Sequence, residues 1–192
     1  MLALRWRLAA VLLLAACSRT PEEPSPIVRD PTHKPASAAV APGPKAEPTI
    51  PPPAKDCPAD PDPSQIGTLY GKGKGSFQTP DGATHTFDLE IERTDTAQAR
   101  GLMYRTHLAE TAGMVFVFAE PHHARFWMRN TCIPLDIVFI GEDLKVLGVV
   151  LARPLDESGV EVSGFSKYVV ELAAGVAKKR GIAMGTTFVP PP

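Results

Sequence analysis

Proline is concentrated in one stretch of this chain of 192 residues, and that distribution limits what the chain can fold into. Fourteen of its 21 prolines lie between residues 21 and 63. Because proline fixes φ and has no backbone N–H, a stretch this rich in it disfavours regular helix and sheet. The distribution predicts three parts: a leader, a proline-rich spacer of residues 18–65 and one globular domain of residues 66–192.

The leader, residues 1–17, has the pattern of an export signal. Arg5 and Arg7 precede an apolar run of nine residues at 8–16. A membrane-spanning helix needs about 20 apolar residues. The run therefore predicts a cleaved signal peptide rather than a permanent span.

The end of the leader, Leu-Ala-Ala-Cys at residues 14–17, resembles the bacterial lipobox. In that pattern the cysteine, here Cys17, receives a diacylglycerol and becomes the new N-terminus. Each buried methylene contributes about 0.8 kcal/mol, so two or three acyl chains anchor a protein firmly to the bilayer. The non-acidic Ser18 favours the outer membrane by bacterial sorting rules. We expect a lipid-anchored protein of the cell envelope that faces the periplasm; the alternative is an ordinary secretory signal with a chance cysteine.

The spacer of residues 18–65 is rich in Pro, Ala, Glu, Lys and Ser and contains no aromatic residue. Such a composition cannot bury enough apolar surface to offset the entropy of ordering. Runs such as the three prolines at 51–53 stiffen it. It is predicted to be a disordered tether, with a docking site for a proline-binding partner as the alternative.

The domain shows a pattern of short strands and two short helices. The strands are predicted at 75–79, 83–92, 113–119, 124–128, 135–140, 144–152, 167–172 and 186–189, and the helices at 96–102 and 174–180. Asp95 is the expected N-cap of the first helix, with Gln98 three residues later. Most connections are too short for helical crossovers, which favours antiparallel pairing. The predicted fold class is α+β, with a strongly bent, mostly antiparallel sheet or an incomplete β-barrel.

Five separated motifs in the domain resemble a known family. They are RGLMYR at 100–105, GMVFVF at 113–118, FWMRNT at 126–131, PLDIVFI at 134–140 and KYVVEL at 167–172. Their order and content are similar to the domain of unknown function family number 192, over about residues 85–188. The resemblance implies a small, often exported domain with a compact, mostly β fold, in a family without an established activity.

The densest polar group of the domain lies beside Trp127. Asn130, Thr131 and Asp136 are expected at one edge of the sheet, where the predicted strands at 124–128 and 135–140 are linked. In the functional interpretation they form a small-molecule or peptide site with an apolar floor. In the structural alternative Asn130 and Thr131 bond the backbone of a tight loop.

Two arginines from the first predicted helix region could complete this edge. Arg100 and Arg105 would orient a ligand in the functional interpretation, together with Asp136. In the structural alternative one of the two arginines pairs with Asp136 instead. Convergence of these groups alone would not separate the two interpretations.

Cys57 and Cys132 remain once Cys17 is lipidated. Export into an oxidising compartment favours a disulfide between them, which would close a loop of about 75 residues and contribute on the order of 4 kcal/mol. The alternative is a buried Cys132 and an incidental Cys57.

Catalysis and metal binding have weaker support in the sequence. A nucleophile needs an adjacent base, and the domain serines fall in loops or at strand ends: Ser76, Ser158, Ser163 and Ser166. Cuprous copper prefers thioether and imidazole ligands, which the chain offers at Met103, Met114, Met128, Met184, His122 and His123. Apolar surroundings make the methionines typical core fillers instead.

The main functional hypothesis is therefore a non-catalytic, membrane-anchored envelope domain that binds a small molecule or an envelope protein, without a cofactor or a resident metal. An envelope enzyme at the same edge, a purely structural module and copper binding are the alternatives. A formal charge of -1 gives no reason to expect nucleic acid as a partner.

Overall fold

The computed structural model describes residues 49–65 and 71–192. The predicted leader, the lipidation site Cys17 and residues 18–48 of the predicted tether lie outside the described residues. Across the two described stretches, no helix has the length and apolar character needed to cross a membrane.

Seven strands and two short α-helices make up the described part of the domain. The strands are β1 (Gly71–Gln78), β2 (Thr84–Glu92), β3 (Ala112–His122), β4 (Leu135–Ile140), β5 (Val146–Ala152), β6 (Ser166–Ala173) and β7 (Thr187–Val189). The helices are α1 (Asp95–Arg100) and α2 (Val176–Lys179), and a 3₁₀ turn covers Pro63–Gln65.

The strands form one sheet in the order β5-β4-β6-β3-β2-β1-β7. Neighbouring strands pair antiparallel except β2 and β3, which run parallel. A parallel pair requires a crossover connection, and residues 93–111, which include α1, supply it. The crossover places α1 over one face of the sheet, and this position decides where the site forms.

The two terminal strands of this order meet, so the sheet curls toward a barrel. The backbone N–H of Val146 donates to the carbonyl oxygen of Thr186 at 2.9 Å, and Phe188 N–H donates to the carbonyl of Leu144 at 2.8 Å. The result is a strongly curled half-barrel with two short helices, which agrees with the predicted α+β class.

Apolar side chains cover both faces of the curled sheet. A first cluster gathers residues of all seven strands with α2, and includes Phe77, Phe87 and Phe188. A second cluster lies on the opposite face, under α1 and the loop after β3, and includes Met114, Phe116, Phe139 and Val169. Because alternate residues of a strand point to opposite faces, a strand buried on both sides contains few polar residues. β4 (LDIVFI) is buried at all six positions.

The segment predicted as a strand at 124–128 is a loop in the structure. Only Phe126 forms a bridge, with Val160, through backbone bonds of 2.9 Å and 2.6 Å. Trp127 is half exposed. The apolar residues that suggested a strand instead fold over the second cluster.

The start of α1 also differs from the prediction by one residue. Thr94 is the N-cap, with extended backbone and a side-chain oxygen that accepts the N–H of Ala97 at 3.3 Å. Asp95 is the first helical residue, where its charge still interacts favourably with the helix dipole.

The described end of the predicted tether is held against the domain. The structure joins Cys57 and Cys132 in a disulfide with a Cα–Cα distance of 5.4 Å. Ala54 N–H donates to the carbonyl oxygen of Cys132 at 2.8 Å, and Asp60 pairs with the largely buried guanidinium of Arg100. Residues 49–65 thus belong to the same compact unit as the domain, although their composition alone predicts a tether that continues to residue 65.

Candidate functional site

A cavity of about 330 Å³ opens between α1, the β3 and β6 strands and the loop after β3. Its walls are mainly aromatic, formed by Phe116, Phe118, Phe126 and Trp127. The rings of Phe116 and Phe126 pack edge to face with centroids 4.9 Å apart. Trp127 stands at the rim with half of its surface exposed. Such an apolar recess with a few polar groups is typical of a small-molecule site.

Gly101, directly after α1, keeps the floor of the cavity open. Its φ of 50° and ψ of -136° lie where L side chains are strained. A Cβ here would stand 3.3 Å from the Phe116 ring and 3.8 Å from Oε2 of Glu171. A glycine therefore allows the chain to leave the helix without filling the space between these two side chains.

Glu171 is the acidic group at the floor of the cavity. It lies on β6 opposite Met114 of β3 and is 5% exposed. Its Oε2 accepts no hydrogen bond from any residue in the described part of the chain. Burial raises the pKa of Glu171 to about 8, and the nearby charge of Arg105 opposes that rise. Near neutral pH this carboxyl group is therefore largely protonated.

Two further acids of β2 belong to the same face of the sheet. Arg105 makes a bidentate ion pair with Glu90, with N–O distances of 2.6 Å and 2.7 Å. Glu92 is fully buried, and neither of its carboxyl oxygens has a hydrogen-bond partner among the residues described. Burial, assisted by the charges of Glu90 and Glu171, raises the pKa of Glu92 to about 8.

Two of the six residues predicted for the ligand site line this cavity. They are Trp127 and Thr131. The guanidinium of Arg129 lies over the Trp127 ring, 5.6 Å from its centroid. Thr131 is buried, and its hydroxyl donates to the carbonyl of Arg129 at 3.4 Å.

Asn130 shapes the loop that carries these residues. It adopts φ 56°, a conformation that asparagine tolerates better than most residues. Its side-chain amide donates to the hydroxyl of Tyr104 at 2.9 Å, and its carbonyl accepts the N–H of Tyr104 at 2.7 Å. Asn130 thereby ties the loop to the segment that follows α1.

Asp136 lies on the other face of the sheet, which corrects the expectation that it converges with Asn130. Its carboxylate accepts the N–H of Ala177 in α2 at 2.8 Å. Burial raises the pKa of Asp136, and bonds from Ala177 and Gly175 oppose that rise. The carboxylate of Asp136 therefore stabilises the first turn of α2.

The two predicted arginines are paired elsewhere than with Asp136. Arg100 pairs with Asp60 of the N-terminal segment and lies 5.3 Å from the centroid of the Tyr104 ring. Arg105 pairs with Glu90. The pairing of Asp136 with either arginine, expected in the structural alternative, is replaced by these contacts.

The methionines and histidines occupy several environments. Met114 and Met128 are buried in the second cluster, whereas Met184 is 75% exposed. His122 packs against Phe118, and His123 against Phe165. No group of three or more His, Cys, Asp and Glu side chains among residues 49–65 and 71–192 is arranged to hold a metal ion.

Sequence reasoning missed the buried acids. The alternation along β2 predicts that Glu90 and Glu92 face solvent, but the crossover covers that face. The sequence did offer an indication that Glu171 is buried, since it is the one acid in the apolar run YVVELAA. A charged residue inside a strand buried on both faces is rarely there without a partner or a role.

The fold and the cavity define a strand-rich α+β domain with one aromatic-walled recess over a buried acid. The chain belongs to the DUF192 family, described as "Uncharacterized ACR", whose sequence profile matches residues 77–189. No curated protein is significantly similar to the chain.

Solved structures that are similar to this chain include the following two. One is a protein of unknown function from Novosphingobium aromaticivorans DSM 12444, with 37% identity and a TM-score of 0.60, covering 65% of this chain and 88% of that one. The other, from Sinorhizobium meliloti 1021, is named as a candidate transcription regulator; it has 33% identity and a TM-score of 0.61, covering 63% of this chain and 95% of that one.

Proposed function

We propose that this protein is a lipid-anchored envelope protein whose domain binds a small organic molecule in the aromatic-walled cavity. The observation that carries the proposal is the combination, in one recess, of four aromatic side chains and a buried oxygen of Glu171 that has no hydrogen-bond partner among the described residues. Aromatic walls provide apolar contact area, and a single buried polar group orients a ligand.

The composition of the cavity favours binding over catalysis. The polar residues of its described lining are Asp95, Glu171, Gln98, His122, Arg125 and Thr131. This lining contains no serine, cysteine or lysine that could serve as an activated nucleophile. The guanidinium of Arg125 already donates to the carbonyl of Ser158 at 2.6 Å. The arrangement therefore suits recognition of a ligand that leaves unchanged.

Acid–base catalysis is the second candidate function, and one observation favours it. The pKa of Glu171, about 8, lies close to neutral pH, where a group can both give and take a proton. A perturbed acid in a cleft is a common feature of active sites. This enzyme would transfer protons on a bound substrate without a covalent intermediate.

The cellular setting proposed here rests on two independent features. The leader resembles a lipoprotein signal that ends at Cys17, and the disulfide between Cys57 and Cys132 is of a kind that persists in oxidising compartments. Together they support an outer-membrane protein with its domain in the periplasm.

Trp127 allows a direct test of binding, because the only other tryptophan, Trp6, belongs to the leader. In the mature protein, fragments that enter the cavity should change the Trp127 fluorescence. Ala99→Phe places a ring on the exposed surface of α1 at the cavity rim and should abolish the change. Thr96→Phe adds the same ring to α1 outside the cavity lining and should leave it intact. Fragments whose binding survives Ala99→Phe would contradict the proposed site.

The anchor is tested by Cys17→Ser. We expect the variant to move from the membrane fraction to the soluble periplasmic fraction, because no acyl chain can then be attached. Ser163→Ala, a substitution at an exposed position that retains the lipidation site and the disulfide, is the control and should stay with the membrane. Continued membrane association of the Cys17→Ser protein would contradict the anchor.

A further inference from the structure

The floor of the cavity presents a buried carboxyl oxygen that has no hydrogen-bond partner among the described residues. Glu171 is about nineteen-twentieths buried, yet its Oε2 is unbonded by any described residue and lies beside Gly101 at the cavity floor. A buried acceptor without a partner costs free energy, and more when it is charged. A ligand that supplied a donor here would remove that cost.

Two side-chain donors of the cavity lining are engaged with backbone carbonyls. Gln98 Nε2 donates to the carbonyl of Val117 at 3.2 Å, and Arg125 Nη2 donates to that of Ser158 at 2.6 Å. Arg105 interacts electrostatically with Glu171, but it faces Glu90 in the bidentate pair. We therefore expect the hydrogen-bond donor for Oε2 of Glu171 to come from the ligand.

The aromatic walls of the cavity indicate that the donor group of the ligand is positively charged. Aromatic faces carry a negative electrostatic potential and attract organic cations. Four aromatic side chains line the cavity, and the exposed carboxylate of Asp95 stands at the rim. The guanidinium of Arg125, which is also in the lining, bonds the carbonyl of Ser158. Aromatic walls over an acidic floor form an environment that favours a cation attached to an apolar body over an anion.

We propose that the ligand is a small organic cation, an ammonium or amidinium group on an apolar body, whose N–H groups bond Oε2 of Glu171. This inference rests on the proposed function, since it names the ligand class of the same cavity. On binding, the carboxyl group of Glu171 loses its proton to solvent and the resulting carboxylate pairs with the cation. No covalent bond is made or broken in the ligand.

Binding is thereby coupled to pH. The charged and titratable groups around Glu171 are Arg105, Glu90 and Glu92 on its own side of the sheet, and Asp95, His122 and Arg125 in the cavity lining. With a pKa of about 8 for Glu171 in the free protein, the ionised fraction rises about fifty-fold from pH 6 to pH 8. The affinity for a permanently charged ligand should rise by a similar factor over that range.

Benzamidine and its neutral isostere benzamide are the probes for this inference. Binding to the mature protein is followed by the indole N–H resonance of Trp127 and by calorimetry. We expect benzamidine to bind at least ten-fold more tightly than benzamide at pH 8, and its affinity to fall toward pH 6. Calorimetry in buffers of different ionisation enthalpy should detect close to one proton released per benzamidine bound at pH 7.

Glu171→Gln keeps the size of the side chain and removes the charge. It should abolish both the preference for benzamidine and the proton release, whereas Glu110→Gln, at an exposed acid paired with Lys179, should preserve both. If Glu171→Gln fails to fold, the proton release of the unmodified protein decides alone. Equal binding of the two probes, binding without proton release, or binding of neither overturns the inference. The cavity itself is judged separately, by whether Ala99→Phe abolishes the binding of other fragments.

Discussion

The double variant Cys57→Ala, Cys132→Ala is expected to have a free energy of unfolding lower than that of the oxidised protein by about 4 kcal/mol. The bond joins residues 75 apart in the sequence, and a cross-link over such a loop removes that much conformational entropy from the unfolded chain in the chain-entropy model. Chemical denaturation followed by circular dichroism measures the difference. For a domain of this size, a loss of 4 kcal/mol is a large part of the total stability.

The control for this prediction is the reduced protein. Adding dithiothreitol should lower the unfolding midpoint of the unmodified protein to that of the double variant, while the double variant should not respond. Cys132 is buried, so part of any loss could reflect packing rather than the cross-link. If reduction leaves the unmodified protein unchanged while the double variant is destabilised, the bond contributes little and the packing of the two sulfurs accounts for the effect.

Strand positions were the most predictable part of the fold. The run LDIVFI, predicted as a strand at 135–140, forms β4 over the same residues. The alternating run predicted as a strand at 83–92 forms β2, which ends at Glu92 as predicted. These segments are predictable because their apolar periodicity is local. Sheet order and the parallel pairing of β2 with β3 depend on contacts between distant segments, which periodicity does not report.

The side of the sheet that a residue faces was less predictable. β4 is apolar on both faces, so its sequence does not show whether Asp136 points toward the loop after β3 or away from it. In the structure Asp136 pairs in register with Leu172 of β6, on the face of the first cluster. Trp127 and Thr131 were within reach of prediction because one short loop carries both.

The buried acids required knowledge of the crossover. Glu90 and Glu92 alternate with apolar residues, the pattern of a half-exposed strand. Only the packing of α1 and the following segment over that face turns an expected solvent-facing position into a buried one. The cavity exists because α1, within this crossover, ends at Gly101, beside Glu171.

Stability should fall as the pH rises from about 5 to 8, because two buried acids have raised pKa values in the folded state. Both Glu92 and Glu171 change from an ordinary value of 4.5 to about 8. A raised folded-state pKa means that the folded protein holds a proton that the unfolded chain has already released. Each acid therefore contributes stability that is complete below about pH 4.5 and is lost progressively as the pH rises, until the folded group ionises near pH 8.

Glutamine imitates the protonated acid, so Glu92→Gln and Glu171→Gln should each flatten this dependence. We expect each variant to match the unmodified protein near pH 5 and to exceed its free energy of unfolding by several kcal/mol at pH 8. Thermal unfolding at half-unit pH intervals measures the slope, and Glu110→Gln, at an exposed position, should follow the unmodified protein. A Glu92→Gln curve parallel to that of the unmodified protein would mean that Glu92 ionises normally in the fold.

The double variant Glu92→Gln, Glu171→Gln distinguishes two independent acids from a coupled pair. The charge of Glu171 contributes to the raised pKa of Glu92, so removing it makes Glu92 easier to ionise. The gain of the double variant at pH 8 should therefore be smaller than the sum of the single gains, as expected for interacting neighbours. Full additivity would mean that the two carboxyl groups under α1 do not sense each other's charge.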